Sequence, residues 1–139
     1  MDKNVLMEFL QKVDKDFTPY LSQKTDLSAF GDRLLNHANL FVSKDEKGEI
    51  KGLVALYAND FVKKYAYIPL LAVAPEYRKQ GIARMLMNEA IDYVRELGSE
   101  KIQVIGIHTS NPIAFDFYKE LGFRLLDESN NREYLELHL

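Results

Sequence analysis

Cysteine and tryptophan are both absent from the 139 residues. The first absence excludes a disulfide framework, a thiolate nucleophile and a cysteine-ligated metal together. The second removes one packing residue only, and 8 Phe with 8 Tyr supply large apolar surfaces in its place. Proline (4) and glycine (7) are sparse, and no Gly/Ser-rich linker, repeat or low-complexity run divides the chain. An excess of positive charge is missing too. With 18 Lys and Arg against 21 Asp and Glu, the net charge of −3 provides no global field for nucleic acid, so any anion site must be local. Long apolar runs are also lacking. The longest, residues 65–75, is about half the roughly 20 residues of a membrane-spanning helix and contains two prolines. Glu8, Lys12 and Asp14 interrupt any apolar region of a signal peptide. The expectation is a single cytoplasmic domain over residues 1–139, with a core drawn from its 47% hydrophobic residues.

What is present is strong periodicity. Val5, Leu6, Phe9, Leu10 and Val13 recur at helical spacing, and Pro19 lies at or past the end of that helix. Asp26 is placed to cap a second helix whose buried stripe is Leu27, Phe30, Leu34, Leu35 and Ala38. The pattern then turns to strands: residues 40–42 and 50–58, joined by the polar turn 45–48 as a hairpin, and residues 65–73, apolar at nearly every position. Pro69 inside that third strand cannot donate to a ladder, so it predicts a bulge or a lapse in pairing. A long helix after Pro75 carries Ile82, Met85, Leu86, Ala90, Tyr93, Val94 and Leu97 on one side and stops at Gly98. Residues 102–107 read as a strand, 112–121 as a helix, 123–126 and 134–137 as closing strands, and 127–132 as the loop between them. The order ααββ-β-α-β-α-β-β implies an α/β (α+β) fold with one mixed central sheet flanked by helices, and no strand before the first helix.

Two segments carry chemistry. In Arg78-Lys79-Gln80-Gly81-Ile82-Ala83-Arg84, a buried strand passes into the long helix, and Gly81 allows a turn or a close approach of ligand to backbone. Unpaired amides and the positive end of the helix dipole suit an anion there, and Arg78, Lys79 and Arg84 add local charge. An ordinary helix start with solvated basic residues fits the segment equally well when it is read alone. A P-loop and a dinucleotide fingerprint are both excluded by pattern. The second segment opens another helix: Ser110 or Asn111 can cap it and Pro112 suits its first position. At about 3.6 residues per turn, Asn111, Ala114 or Phe115, and Tyr118 share one face. Read singly, Asn111 is better explained as a cap and Tyr118 as a core aromatic.

The order and spacing of the two segments resemble the GNAT superfamily of acyl-CoA-dependent N-acetyltransferases. The family's Arg/Gln-x-x-Gly-x-Gly/Ala is met by Arg78 to Ala83. Its later Asn-x-x-Ala-x-x-Phe/Leu-Tyr-x-x-x-Gly-Phe is similar to Asn111, Ala114, Phe117-Tyr118 and Gly122-Phe123. The resemblance covers roughly residues 41–123. It implies that two central strands splay apart and that the pantetheine arm of acetyl-CoA fills the gap beside Leu71, Ala72 and Val73. Of the cofactor-binding segment Arg78, Lys79, Gln80, Gly81, Ile82, Ala83 and Arg84, the amides from Lys79 to Arg84 then hold the pyrophosphate, and Asn111 also contacts the donor. It further implies direct attack of a primary amine on the thioester, an oxyanion met by an amide near Leu71, and Tyr118 as general acid, with no metal.

Two departures from the family stand out. Its usual first strand is not evident, and where some members carry a Glu five residues before the Asn this chain has Gly106. His108, Tyr67 and Asp60 are the candidates for a base, and a water relay is the alternative. The acceptor is a small-molecule or protein amine, met by residues before Leu40 and around 59–64. No nucleic acid or membrane partner is expected, and the chain is a monomer or homodimer. A catalytically weak acyl-CoA sensor is the second reading, motivated by Gly106. A phosphate-binding hydrolase is the third, without a visible nucleophile or His pair.

Overall fold

A computed structural model describes residues 1–17, 20–60, 64–105, 112–127 and 133–139. Helix α1 (Lys3–Val13) starts at Asp2, whose carboxylate accepts from the Asn4 amide at 3.1 Å, and it buries Leu6, Phe9, Leu10 and Val13. The spacing of these four residues is the predicted stripe. Helix α3 (Leu27–His37) is capped by Asp26 as expected and buries Phe30 and Leu34. A 3-10 turn, Asp14–Asp16, and a short helix α2, Leu21–Lys24, intervene. Neither follows from periodicity, because side-chain bonds specify them: the Ser22 amide and hydroxyl both donate to Asp14, each at 2.7 Å.

Strands β1 (Asn39–Lys44) and β2 (Ile50–Asp60) form the expected hairpin, in which the Asp45 carboxylate accepts from the Lys47 and Glu49 amides. Then follow β3 (Tyr65–Val73), a 3-10 turn Pro75–Tyr77, α4 (Ile82–Glu96), β4 (Lys101–Ile105), α5 (Pro112–Glu120), β5 (Arg124–Asp127) and β6 (Glu133–His138). The six strands lie in the order β1-β2-β3-β4-β6-β5, antiparallel except for the parallel pair β3 and β4. The mixed sheet predicted from the element order is therefore present. Helix α4 and Tyr118 of α5 close a core over one face, with Val54, Leu56, Ile68, Leu86, Val94 and Leu135. Helices α1 and α3 close a second core over the other face, with Leu53, Ala55, Leu70 and Ala72. Each large aliphatic side chain so buried contributes about 1.5–3 kcal/mol before entropy is counted.

Pro69 sits where both of its predicted consequences occur. Ala55 pairs with Leu70 but Tyr57 pairs with Tyr67, so β3 carries one extra residue opposite Leu56, a bulge. The extra residue exchanges the two faces of the strand. Ala66 and Ile68 join the α4 core, whereas Leu70 and Ala72 join the α1 and α3 core. On the other side, β3 and β4 pair only at Tyr65, Ala66 and Tyr67. Among the described residues, no strand pairs with residues 68 to 73 on that side, so the pairing lapses at Pro69 as predicted.

Candidate functional site

The open edge of β3 has a definite hydrogen-bonding face. The Ala74 amide donates to the Lys51 carbonyl at 2.8 Å, so in the regular ladder that follows, Gly52 and Val73 are a non-hydrogen-bonded pair, as are Val54 and Leu71. The amide and carbonyl of Leu71 and Val73 therefore turn away from β2, toward the open side. Those of Ala72 turn toward Leu53.

Beyond Val73 the chain makes one 3-10 turn and enters α4 through two left-handed residues, Lys79 (φ 64°) and Gly81 (φ 80°). Gly81 is the N-cap and has no side chain to bond the first-turn amides, which leaves them as donors. They stand at the positive end of a 15-residue helix. Gly81, Ile82, Ala83 and Arg84 line a cleft of about 540 Å³ together with Leu71, Ala72, Val73, Arg78 and Lys79. Its volume suits a small-molecule ligand. Nine of the residues expected to bind a cofactor thus meet in one cavity. Gln80 is exposed in the same turn and is not part of the wall. Asn111, Gly106 and His108 lie outside the described residues, as does the side chain of Asp60.

The charged groups are already partly engaged. Arg78 donates from Nε to the Val73 carbonyl at 3.1 Å and forms an ion pair with Asp16. Arg84 reaches Glu120 at 3.1 Å and lies 5.9 Å from the centre of the Phe117 ring. Tyr77, also in the wall, donates to Asp45 at 3.2 Å; burial, then this carboxylate, pushes its phenol above the usual range, so it stays protonated.

Helix α5 contributes Ala114 and Phe117 to the wall. Tyr118 is placed differently from the shared face expected of it: it is fully buried behind the wall, against Phe117 and Phe123, and its hydroxyl has no hydrogen-bond partner among the described residues. Burial alone raises its pKa far above the usual phenol range. Of the base candidates, Tyr67 stands at the last described pair of β3 with β4, opposite Gln103. Among the described residues, Asp16, Phe17 and Tyr77 also line the wall and were not anticipated. The first two come from the N-terminal layer, and no local pattern signals that they meet a loop some 60 residues away.

Among the described residues no helix is long and apolar enough to cross a membrane. The fold is similar to that of a GNAT-family acetyltransferase from Staphylococcus aureus Mu50, at a TM-score of 0.78 and 20% identity, covering 99% of this chain and 92% of that one. It is equally similar, at 0.78 and 19% identity, to a PaiA N-acetyltransferase from Thermoplasma acidophilum solved with coenzyme A, covering 99% and 93%. By sequence the chain is 31% identical over 88 residues to the spermidine N(1)-acetyltransferase of Vibrio cholerae, which is 63% of this chain and 50% of that protein. It is 40% identical over 57 residues to N-alpha-acetyltransferase 30 of Schizosaccharomyces pombe, which is 41% and 37%. The matches thus span half or less of these two relatives' length. Residues 7–123 match the Acetyltransferase (GNAT) family, and the chain belongs to that family.

Proposed function

We propose that the chain is an N-acetyltransferase that moves an acetyl group from acetyl-CoA to a primary amine. The observation that carries this reading is the joining, in one cleft, of an open strand edge at Leu71 and Val73 to the uncapped amides of α4. The edge suits an extended amide-bearing arm, which adds to a sheet as a strand would. The helix start suits the pyrophosphate at the other end of that arm. In this reading the backbone from Lys79 to Arg84 holds the phosphates, Leu71, Ala72 and Val73 flank the arm, and Asn111 touches the donor. The neutral amine attacks the thioester carbonyl as the C–N bond forms and the C–S bond breaks, so the protein acts by positioning and by stabilising charge. The outward amide of Leu71 meets the negative oxygen. Tyr118 gives its proton to the leaving thiolate, and the amine gives its own to water. The Tyr118 hydroxyl supports this role, since it is a buried phenol held protonated and has no partner among the described residues. The names of the two relatives, both of acetyl transfer to nitrogen, support the amine as acceptor.

The test is transfer of label from acetyl-CoA to a panel of amines, alongside CoA binding by calorimetry, for the wild type and Gly81→Glu. A carboxylate at the helix start abolishes both CoA binding and transfer in this reading. Unchanged CoA affinity in Gly81→Glu would remove the phosphate site from Gly81. The position of Tyr118 behind the wall, not on it, favours a second reading, a CoA-binding sensor without turnover. CoA binding with no transfer to any amine tried would select it.

A further inference from the structure

The Arg78 guanidinium is placed unlike a group waiting for a phosphate. Its Nε donates to the Val73 carbonyl at 3.1 Å, and that carbonyl belongs to the open edge of β3. Its Nη2 is paired with Asp16, in the 3-10 turn that follows α1. Asp16 is itself held in place. The Ser22 amide and hydroxyl fix Asp14 two residues earlier, and Lys12 pairs with Glu76 at 3.0 Å, a second strut from the N-terminal layer to the turn before Arg78. Asp16, Phe17, Val73 and Arg78 all line the cleft.

Two physical consequences follow. With Arg78 on its carbonyl, Val73 offers an extended ligand its amide and an oxygen already engaged once, whereas Leu71 offers both groups. The hydrogen-bonding edge is therefore weakest at Val73, which favours a ligand leaving the strand there and turning toward the α4 amides. A carboxylate on the wall of an anion site would also repel phosphate were its charge not matched by an adjacent guanidinium. Because both side chains are partly exposed, at 45% and 30%, the pair adds little to global stability.

We propose that Asp16 is a positioning residue for the acyl donor: acting through Arg78, it caps the open edge of β3 and sets the register in which the donor's arm pairs with the strand. This rests on the reading of the cleft as the acetyl-CoA site. Asp16→Ala then raises KM for acetyl-CoA about threefold to fivefold, as loss of a partly exposed ion pair in the cleft would, and changes kcat less than KM. Asp16→Glu restores KM. Arg78→Ala weakens the donor similarly, and Asp16→Ala in that background adds nothing further, since the two act as one unit.

Amide hydrogen exchange on the ligand-free protein gives a readout that needs no CoA. In Asp16→Ala, residues 74–81 exchange faster than in the wild type, while the amides of α4 beyond its first turn do not change. A wild type that fails to bind CoA would overturn the acyltransferase reading, and the exchange result would still decide the Asp16 to Arg78 coupling. Unchanged exchange at 74–81, a lower KM in Asp16→Ala, or additive effects of the two substitutions would each overturn the proposal.

Discussion

Gly52 of β2 lies directly beneath Ile82, the first residue of α4: a Cβ at position 52 would come 2.7 Å from Ile82 Cγ2, with Leu86 and Val73 side chains each at 3.4 Å. The contact sets how closely the helix start approaches the sheet, and hence where the first-turn amides stand relative to the edge of β3. A branched methyl has no free rotor to swing aside, so Gly52→Ala moves the helix. Overpacking of this kind costs about 1–3 kcal/mol. The expected outcome is that loss in urea denaturation together with weaker CoA binding. Gly52→Ala with Ile82→Ala, which removes the clashing Cγ2, should recover much of the stability.

Gly81 has the opposite surroundings. Chain neighbours aside, nothing among the described residues lies within 4 Å of a Cβ built there, and its backbone, at φ 80° and ψ 10°, is what requires glycine. Gly81→Ala should cost about 1–2 kcal/mol of stability from the left-handed conformation, and Gly81→Asn less, because asparagine tolerates that region. If the two cost the same, the left-handed φ would not be what requires the glycine. Denaturation midpoints of the two variants decide it.

The sequence made the elements and part of the cleft wall readable, for physical reasons that differ by residue. Leu6, Phe9, Leu10 and Val13 reveal α1 because burial on one face imposes a period. Pro69 reveals both the bulge and the lapse in pairing because it has no amide to pair. Gly81 reveals the helix start because few residues take its φ. The Asp16 to Arg78 pair and the close approach of Gly52 to Ile82 were not legible, since each joins elements distant in sequence and neither leaves a local pattern. Tyr118 was legible as a helix residue, but its depth depends on Phe123 and Leu135 packing around it, and the spacing within α5 cannot show that.

Tyr118→Phe separates a catalytic role from a structural one by opposite signs. An unsatisfied buried hydroxyl costs about 1–3 kcal/mol, so its removal should leave stability unchanged or raise it by about 1 kcal/mol. Turnover should fall about 100-fold if the phenol serves as general acid, with CoA affinity little altered. Thermal denaturation and steady-state kinetics on one preparation test both halves. A destabilised variant with normal turnover would assign Tyr118 to the core alone.

Glu136 on β6 gives the fold a defined acid limb. It is 3% exposed, and its carboxylate accepts from Gln103 at 2.9 Å and pairs with Lys101 at 3.1 Å and His138 at 2.7 Å. Burial pushes its pKa up, but the bonds from Gln103 and Lys101 and the charges of Lys101 and His138 outweigh burial and hold it below the ordinary 4.5. A carboxylate with a depressed folded pKa contributes stability that is fully present above its unfolded value and is lost as pH falls through the folded one. Glu136→Gln should therefore lower stability by about 2 kcal/mol at pH 7, as loss of charged hydrogen bonds does. The difference from the wild type should shrink below about pH 4, where the wild-type carboxylate is being protonated. Urea denaturation of both proteins between pH 7 and pH 3 measures it. Parallel stability curves across that range would show that Glu136 does not titrate with folding.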